Sequence, residues 1–179
     1  MRAVVLACVL AALTAQAAAA RPTRIPDACK LLKSALQHET VVWTSHLTHF
    51  VPTGRLSCNV TDGQQSGPGH YWSASFGYLP PAAWASAAAP HKYWQSVWNH
   101  WRGKTGDGLT VARLRGFGAD DAFGVEKTGQ DPELHTDTWI EWVKGGYEGR
   151  LELVGEGQLG DLEDAEGLLK QLMRGIPRS

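Results

Sequence analysis

The chain has 179 residues, with 17 basic against 18 acidic side chains and a formal charge of −1 at pH 7. Near neutrality and scattered basic residues exclude long-range attraction to nucleic acid or anionic lipid, so no nucleic-acid partner is expected. No apolar run approaches the roughly 20 residues that span a bilayer, so no transmembrane segment is expected.

Met1-Arg2 supplies a small positive end, Ala3 to Thr14 is an unbroken apolar run, and Ala15 to Ala20 offers small residues at signal-peptidase spacing. That order reads as a secretory signal peptide over residues 1–20, with the mature chain starting near Ala18 or Arg21. The expected location is periplasmic or extracellular. Val5-Leu6-Ala7-Cys8 loosely resembles a lipoprotein cleavage box, but the leader before Cys8 is too short to serve as an export signal. About 160 mature residues suit one domain, residues 21–179, with a core of its own.

The mature chain keeps Cys29 and Cys58. An isolated pair in an oxidising compartment forms a disulfide, and closing a loop of about 30 residues stabilises the fold by about 3.5 kcal/mol. A redox pair or half a metal site are the alternatives; Cys-x-x-Cys spacing is absent.

Asp27 is a good N-cap for a helix running to about His38, with Leu31, Leu32, Ala35 and Leu36 on one face. An irregular segment, Thr40 to Pro52, follows. Leu56, Cys58 and Val60 alternate with polar neighbours and predict a half-buried strand, onto which the disulfide would pin the helix. Tyr71 to Leu79 predicts the next strand, with Trp72, Ala74, Phe76 and Tyr78 on one face. Pro80-Pro81 ends it. Ala82 to Ala89 favours helix, Pro90 breaks or kinks it, and a second helical piece runs to about Arg102.

Leu109 to Leu114 and Ala122 to Lys127 predict two strands around a glycine-containing turn, followed by a long loop, Thr128 to Asp137. Thr138 to Val154 predicts a hairpin about Gly145-Gly146. That turn pairs Lys144 with Tyr147, so Ile140 faces Leu151, Trp142 covers Gly149 and Glu141 faces Arg150. Ile140, Trp142, Tyr147, Leu151 and Leu153 form the core face. Trp139, Glu141, Val143, Glu148, Arg150 and Glu152 take the other face. A final helix starts at Asp161, buries Leu162, Ala165, Leu168, Leu169 and Leu172, and stops at Gly175 and Pro177. The sum is an α+β fold: an antiparallel sheet of about five or six strands, flanked by N-terminal, middle and C-terminal helices.

Asp27-Ala28-Cys29-Lys30-Leu31-Leu32, a second cysteine at Cys58, and Gly116-Phe117-Gly118-Ala119-Asp120-Asp121-Ala122-Phe123 together resemble a family of small secreted bacterial proteins. That family is known mostly from actinobacterial lipoproteins of unknown function. Its members open with a Cys-x-Leu-Leu helix, carry a Gly-x-Gly-Asp-x-Ala turn, and end on an amphipathic helix. The extracellular sensor domain of a mycobacterial Ser/Thr kinase is a related architecture. The resemblance implies an antiparallel sheet with flanking helices and no established catalytic residues. This chain departs from the family in its leader and its tryptophan content.

His46-x-x-His49 could supply two metal ligands, but an extended segment turns i and i+3 to opposite sides, and His-Glu-x-x-His is absent. Asp120-Asp121 lacks the further carboxylates of a calcium loop and reads as a turn. There is no Gly-x-Ser-x-Gly or Ser-x-x-Lys. The glycines around Phe117 lack the lysine and following helix of a phosphate loop. Glu141 and Arg150 read as a surface ion pair. Asn59-Val60-Thr61 is a glycosylation sequon, used only in a eukaryotic secretory pathway. No catalytic residue, metal ligand or cofactor is expected.

Eight tryptophans remain to be explained. On a continuous helix, Trp84, His91, Trp94, Trp98 and Trp101 would span about 100° of arc. The stripe is either the face packed on the sheet or an aromatic groove for a sugar, a peptidoglycan fragment or a partner helix. Trp139 and Val143 lie on the hairpin face away from the core. Left open they would form a partner-binding patch, unless a helix covers that face too. The candidate binding surface is therefore Trp139, Val143, Trp94, Trp98 and Trp101. The expectation is an exported, soluble, non-enzymatic binding protein whose partner is an envelope protein or a cell-wall fragment. The alternatives are an inhibitor or immunity protein for a secreted toxin, and a hydrolase built from Asp120, Asp121, His135 or Glu141.

Overall fold

The computed structural model describes residues 25–36, 43–46, 56–62, 72–129, 136–155 and 161–178. The expected leader and its cleavage site, His38, His49 and His135 lie outside these residues.

Helix α1 (Ala28–Ala35) starts where Asp27 accepts the Lys30 amide at 3.0 Å, the cap read from the sequence. Seven strands follow: β1 (Trp43–His46), β2 (Leu56–Asp62), β3 (Trp72–Leu79), β4 (Leu109–Leu114), β5 (Asp121–Thr128), β6 (Thr136–Lys144) and β7 (Tyr147–Gly155). They form one antiparallel sheet in the order β1-β2-β3-β7-β6-β5-β4. The fold class is the α+β arrangement expected. The seventh strand is β1, in the segment read as irregular; it pairs His46 with Asn59 and Trp43 with Asp62. A four-residue edge strand is too short to show a period of two, so its backbone pairing has no sequence signature.

Helix α2 (Ala89–Trp101) connects β3 to β4 across the sheet, and α3 (Leu162–Gly175) closes the chain. Ala82 to Ala89 does not form the expected helix. Pro81–Ala83 is a 3-10 turn, and α2 begins with Pro90 in its first turn. Proline fits there because the first-turn N–H has no intrahelical partner, whereas inside a longer helix its ring would clash with the preceding turn. Trp84 therefore leaves the helical stripe and packs on Tyr93, with ring centroids 5.8 Å apart.

The sheet has two different faces. Cys58, Val60, Ala74, Phe76, Tyr78, Ile140, Trp142, Tyr147, Leu151 and Leu153 point to the side covered by α1 and α3 and make the main core. Each fully buried aliphatic or phenylalanine side chain there contributes about 1.5–3 kcal/mol. Cys29 and Cys58 are bonded, with Cα atoms 4.9 Å apart, and fasten α1 to β2. The opposite face holds a second, smaller core under α2, made of Trp94, Phe123, Val125, Trp139 and Val143.

The hairpin register is the one the Gly-Gly turn dictates. Lys144 pairs with Tyr147, Ile140 with Leu151, Trp142 with Gly149 and Glu141 with Arg150. Both turn glycines have positive φ, 51° and 78°, the pair of left-handed conformations of a type I′ hairpin turn. Gly149 has no room for a side chain: a Cβ would overlap the Trp142 ring and lie 2.5 Å from the Gly77 carbonyl oxygen.

Helix α3 is capped twice. Asp161 accepts the Asp164 amide at 2.9 Å, and Glu126 of β5 accepts the Leu162 amide at 2.8 Å. The helix ends at Gly175, as the sequence predicts, without a left-handed residue there. A Cβ on this glycine would strike Leu31 of α1.

Candidate functional site

Period-two alternation and the observed registers place the second face in rows that run across the sheet. One row is Ser57, Gly77, Arg150, Glu141, Phe123 and Arg113, from β2 to β4. The next is Asn59, Ser75, Glu152, Trp139, Val125 and Val111. Each row changes character at β6. The right-hand, apolar half lies under α2. Among the described residues α2 also reaches β7, while no helix packs closely over β2 and β3 on this face.

The apolar half answers the question of the tryptophans. Trp94 and Trp98 stack at 6.4 Å and both meet Phe123, at 5.7 and 5.4 Å. Trp101 meets Trp139 edge-on at 5.1 Å. Trp94, Trp139 and Val143 are buried; Trp98 and Trp101 keep part of their surface in solvent. The five residues named as a candidate surface do come together, but as the packing between α2 and the sheet. Trp139 and Val143 form no open patch, because α2 covers them. The Trp94 indole also donates to the Glu141 carbonyl oxygen at 3.2 Å, fixing the helix to β6.

Glu141 and Arg150 stand at the border. The Arg150 Nε donates to Glu141 Oε1 at 2.6 Å, and its Nη2 bonds the same oxygen. This is not the surface pair expected, since Glu141 is only 3% exposed. The helix that buries the tryptophans also removes the carboxylate from water. Burial lowers the Arg150 pKa, but the charge and hydrogen bond of Glu141, with smaller contributions from Glu152 and Tyr93, outweigh it. The guanidinium is held above its ordinary value and stays charged at any physiological pH. Arg150 remains 41% exposed at its side chain and lies 5.9 Å from the Trp139 ring centroid. Glu148, one row away, is 1% exposed.

Of the residues considered for hydrolysis, Asp120 and Asp121 line one cavity, Glu141 lies apart from it, and His135 is outside the described residues. Asp120 accepts the Gly145 amide at 2.7 Å and braces the hairpin turn. Asp121 bonds Arg113 and lies 3.0 Å from the His91 Nε2. Glu141 is engaged by Arg150. A cavity of about 220 Å³ beside the β4–β5 turn is lined by Arg113, Arg115, Phe117, Asp120 and Asp121, with both carboxylates already engaged. Among the described residues, no three histidine, cysteine or acidic side chains come together to hold a metal ion. No helix of the described residues is long and apolar enough to cross a membrane.

Sequence reading missed Ser75, Glu152 and Tyr93 as neighbours. The alternation of Trp72, Ala74, Phe76 and Tyr78 with Ser73, Ser75 and Gly77 does show a uniformly small, polar second face. What it lacks is the pairing of β3 with β7, strands about 75 residues apart, which no local pattern encodes. No family model matches this chain, and no curated protein and no solved structure matches it.

Proposed function

We propose that this is an exported, non-enzymatic binding module of the bacterial cell envelope, whose ligand surface is the polar half of the sheet beside α2. The observation that carries the reading is the division of a single sheet face. Its apolar half is closed by α2, which also reaches β7, while Ser75 and Glu152 of the polar half stay half-exposed on rigid strands near the Glu141–Arg150 pair. Rigid strands are well suited to hold polar groups in a fixed pattern, because a ligand then orders little of the protein on binding.

The Cys29–Cys58 disulfide supports export, since such bonds persist outside the reducing cytosol. The signal-like first twenty residues point the same way. The likeness to small secreted actinobacterial proteins belongs to the same reading. The partner is an envelope protein or a cell-wall fragment.

The test has two arms. Fractionation with N-terminal sequencing should find the processed chain, starting near Ala18 or Arg21, outside the cytosol. Purified protein should then bind envelope extract or cell-wall fragments, and Glu152→Arg should reduce that binding without altering the fold. An unprocessed cytosolic chain, or no binding to either fraction, overturns the proposal.

A further inference from the structure

We infer that β4 is a docking edge for a second copy of this chain, joined antiparallel, β4 to β4, so that the two sheets become one. This goes beyond the binding role proposed above and does not depend on it. Three observations carry it.

The first is an unguarded edge. β4 ends the sheet, and β1, the other edge, has only 4 residues. Sheet edges are normally guarded by proline, lysine, a bulge or a covering helix. β4 reads Leu-Thr-Val-Ala-Arg-Leu and pairs with β5 in one unbroken register, without proline or lysine. Its one charge, Arg113, is taken up by Asp121. Among the described residues neither α2 nor α3 packs closely over it. Both cores run out here: Leu109 and Val111 border the smaller one, Ala112 the larger, and all three stay half-buried.

The second is self-complementary hydrogen bonding. The Thr128 amide donates to the Gly108 carbonyl oxygen at 2.7 Å. Alternation from that pair turns the backbone groups of Thr110, Ala112 and Leu114 toward β5, and the N–H and C=O of Val111 and Arg113 outward. The Leu109 amide is already bonded to Gly106. An antiparallel copy centred on Ala112 pairs Val111 of each chain with Arg113 of the other and uses every one of these outward groups. Ala112 then faces its own counterpart at a non-hydrogen-bonded position, where Cα atoms come to about 4.5 Å and a small side chain fits.

The third is charge. Asp107 lies just before β4 and Arg115 just after it; both are exposed, and neither has an ion-pair partner among the described residues. Lys104, near the same start, is engaged by His100 and the Trp101 ring, and Lys127, across from Leu109, lies over Trp101 and Trp139. Antiparallel pairing sets the start of each strand against the end of the other. Asp107 of one copy therefore meets Arg115 of the second, and the contact is repeated by symmetry. A strand edge is smaller than the roughly 1,200 Å² of a stable interface, so the dimer is a weak one. Its two-fold axis stands perpendicular to the sheet, and both copies turn their α2 side the same way.

The experiment is sedimentation equilibrium of the disulfide-bonded protein from about 10 μM to about 1 mM, where a monomer–dimer equilibrium should appear. Amide hydrogen exchange at Val111 and Arg113 should slow as concentration rises, with a smaller change at Thr110 and Ala112, which are already bonded to β5. Val111→Pro removes an outward N–H without touching the β5 ladder and should abolish the dimer. Arg115→Asp sets like charges together and should weaken the dimer by about fivefold or more, and Asp107→Arg in the same chain should restore it. The charge reversals touch no core, so they test the inference even where the proline variant misfolds. The inference is overturned if the protein stays monomeric throughout, if it dimerises with exchange at Val111 and Arg113 unchanged, or if Arg115→Asp dimerises as the wild type does.

Discussion

Glu141 illustrates how position in the fold changes the worth of one side chain. As an exposed cross-strand partner of Arg150 it would contribute under about 1 kcal/mol. Buried under α2, its loss leaves the guanidinium without its main partner. Glu141→Ala should therefore cost about 2 kcal/mol, between the exposed and fully buried limits because Arg150 stays 41% exposed. Urea unfolding measures this, and a change under half that size would show that the pair behaves as a surface contact. Tyr78 is the second case. Its hydroxyl donates to the Pro26 carbonyl oxygen, tying the start of the domain to the sheet. Burial first, then the neighbouring Tyr147 and Asp27, hold its phenol well above the ordinary tyrosine range. The folded state thus keeps this proton more tightly than the unfolded chain. Its contribution is complete below about pH 10 and is lost as pH rises beyond that. Stability should fall above this pH, and Tyr78→Phe should flatten the fall, leaving the part due to Tyr147, whose phenol burial also raises. An unchanged slope in the variant would place the titrating group elsewhere.

At the scale of elements, local rules held wherever an element's ends and faces were set by nearby residues. Asp27 and Asp161 cap their helices as their position before an apolar stripe requires. Gly145-Gly146 sets the hairpin register because glycine readily takes the two left-handed conformations of a type I′ turn. Within one segment the residue-by-residue preference was overridden by a neighbour in the chain. Ala82 to Ala89 favours helix residue by residue, yet Pro90 takes the first turn of α2 and the preceding alanines lie outside it. Gly175 ends α3 as read, and it also lies against Leu31 where α3 meets α1. Gly175→Ala should change stability by less than about 1 kcal/mol in thermal unfolding, because alanine's helix preference opposes a clash that the terminal methyl of half-buried Leu31 can relieve by rotating. A loss of more than about 1 kcal/mol would show that Leu31 is held fixed at the crossing of the two helices.

At the scale of the molecule, one sheet carries two cores of unequal size, the larger under α1 and α3 and the smaller under α2. Trp94 is the centre of the smaller one, 1% exposed and in contact with Trp98, Phe123 and Glu141. Trp94→Ala should cost about 3–5 kcal/mol. Its effect on hydrogen exchange should concentrate in α2, with the amides of α1 and α3 keeping their relative protection; uniform loss of protection would mean that the two cores unfold as one. The amino-acid sequence by itself determined the α+β class, the helix caps, the hairpin register and the residues of the main core face, because periods of 2 and 3.6 and the chemistry of turns act over a few neighbours. It did not determine that β3 pairs with β7, that α2 packs across β6 and β7 on the second face, or that Glu141 leaves the solvent. Those depend on contacts between segments far apart in the chain, and burial is a property of what lies above a side chain rather than of its neighbours in sequence.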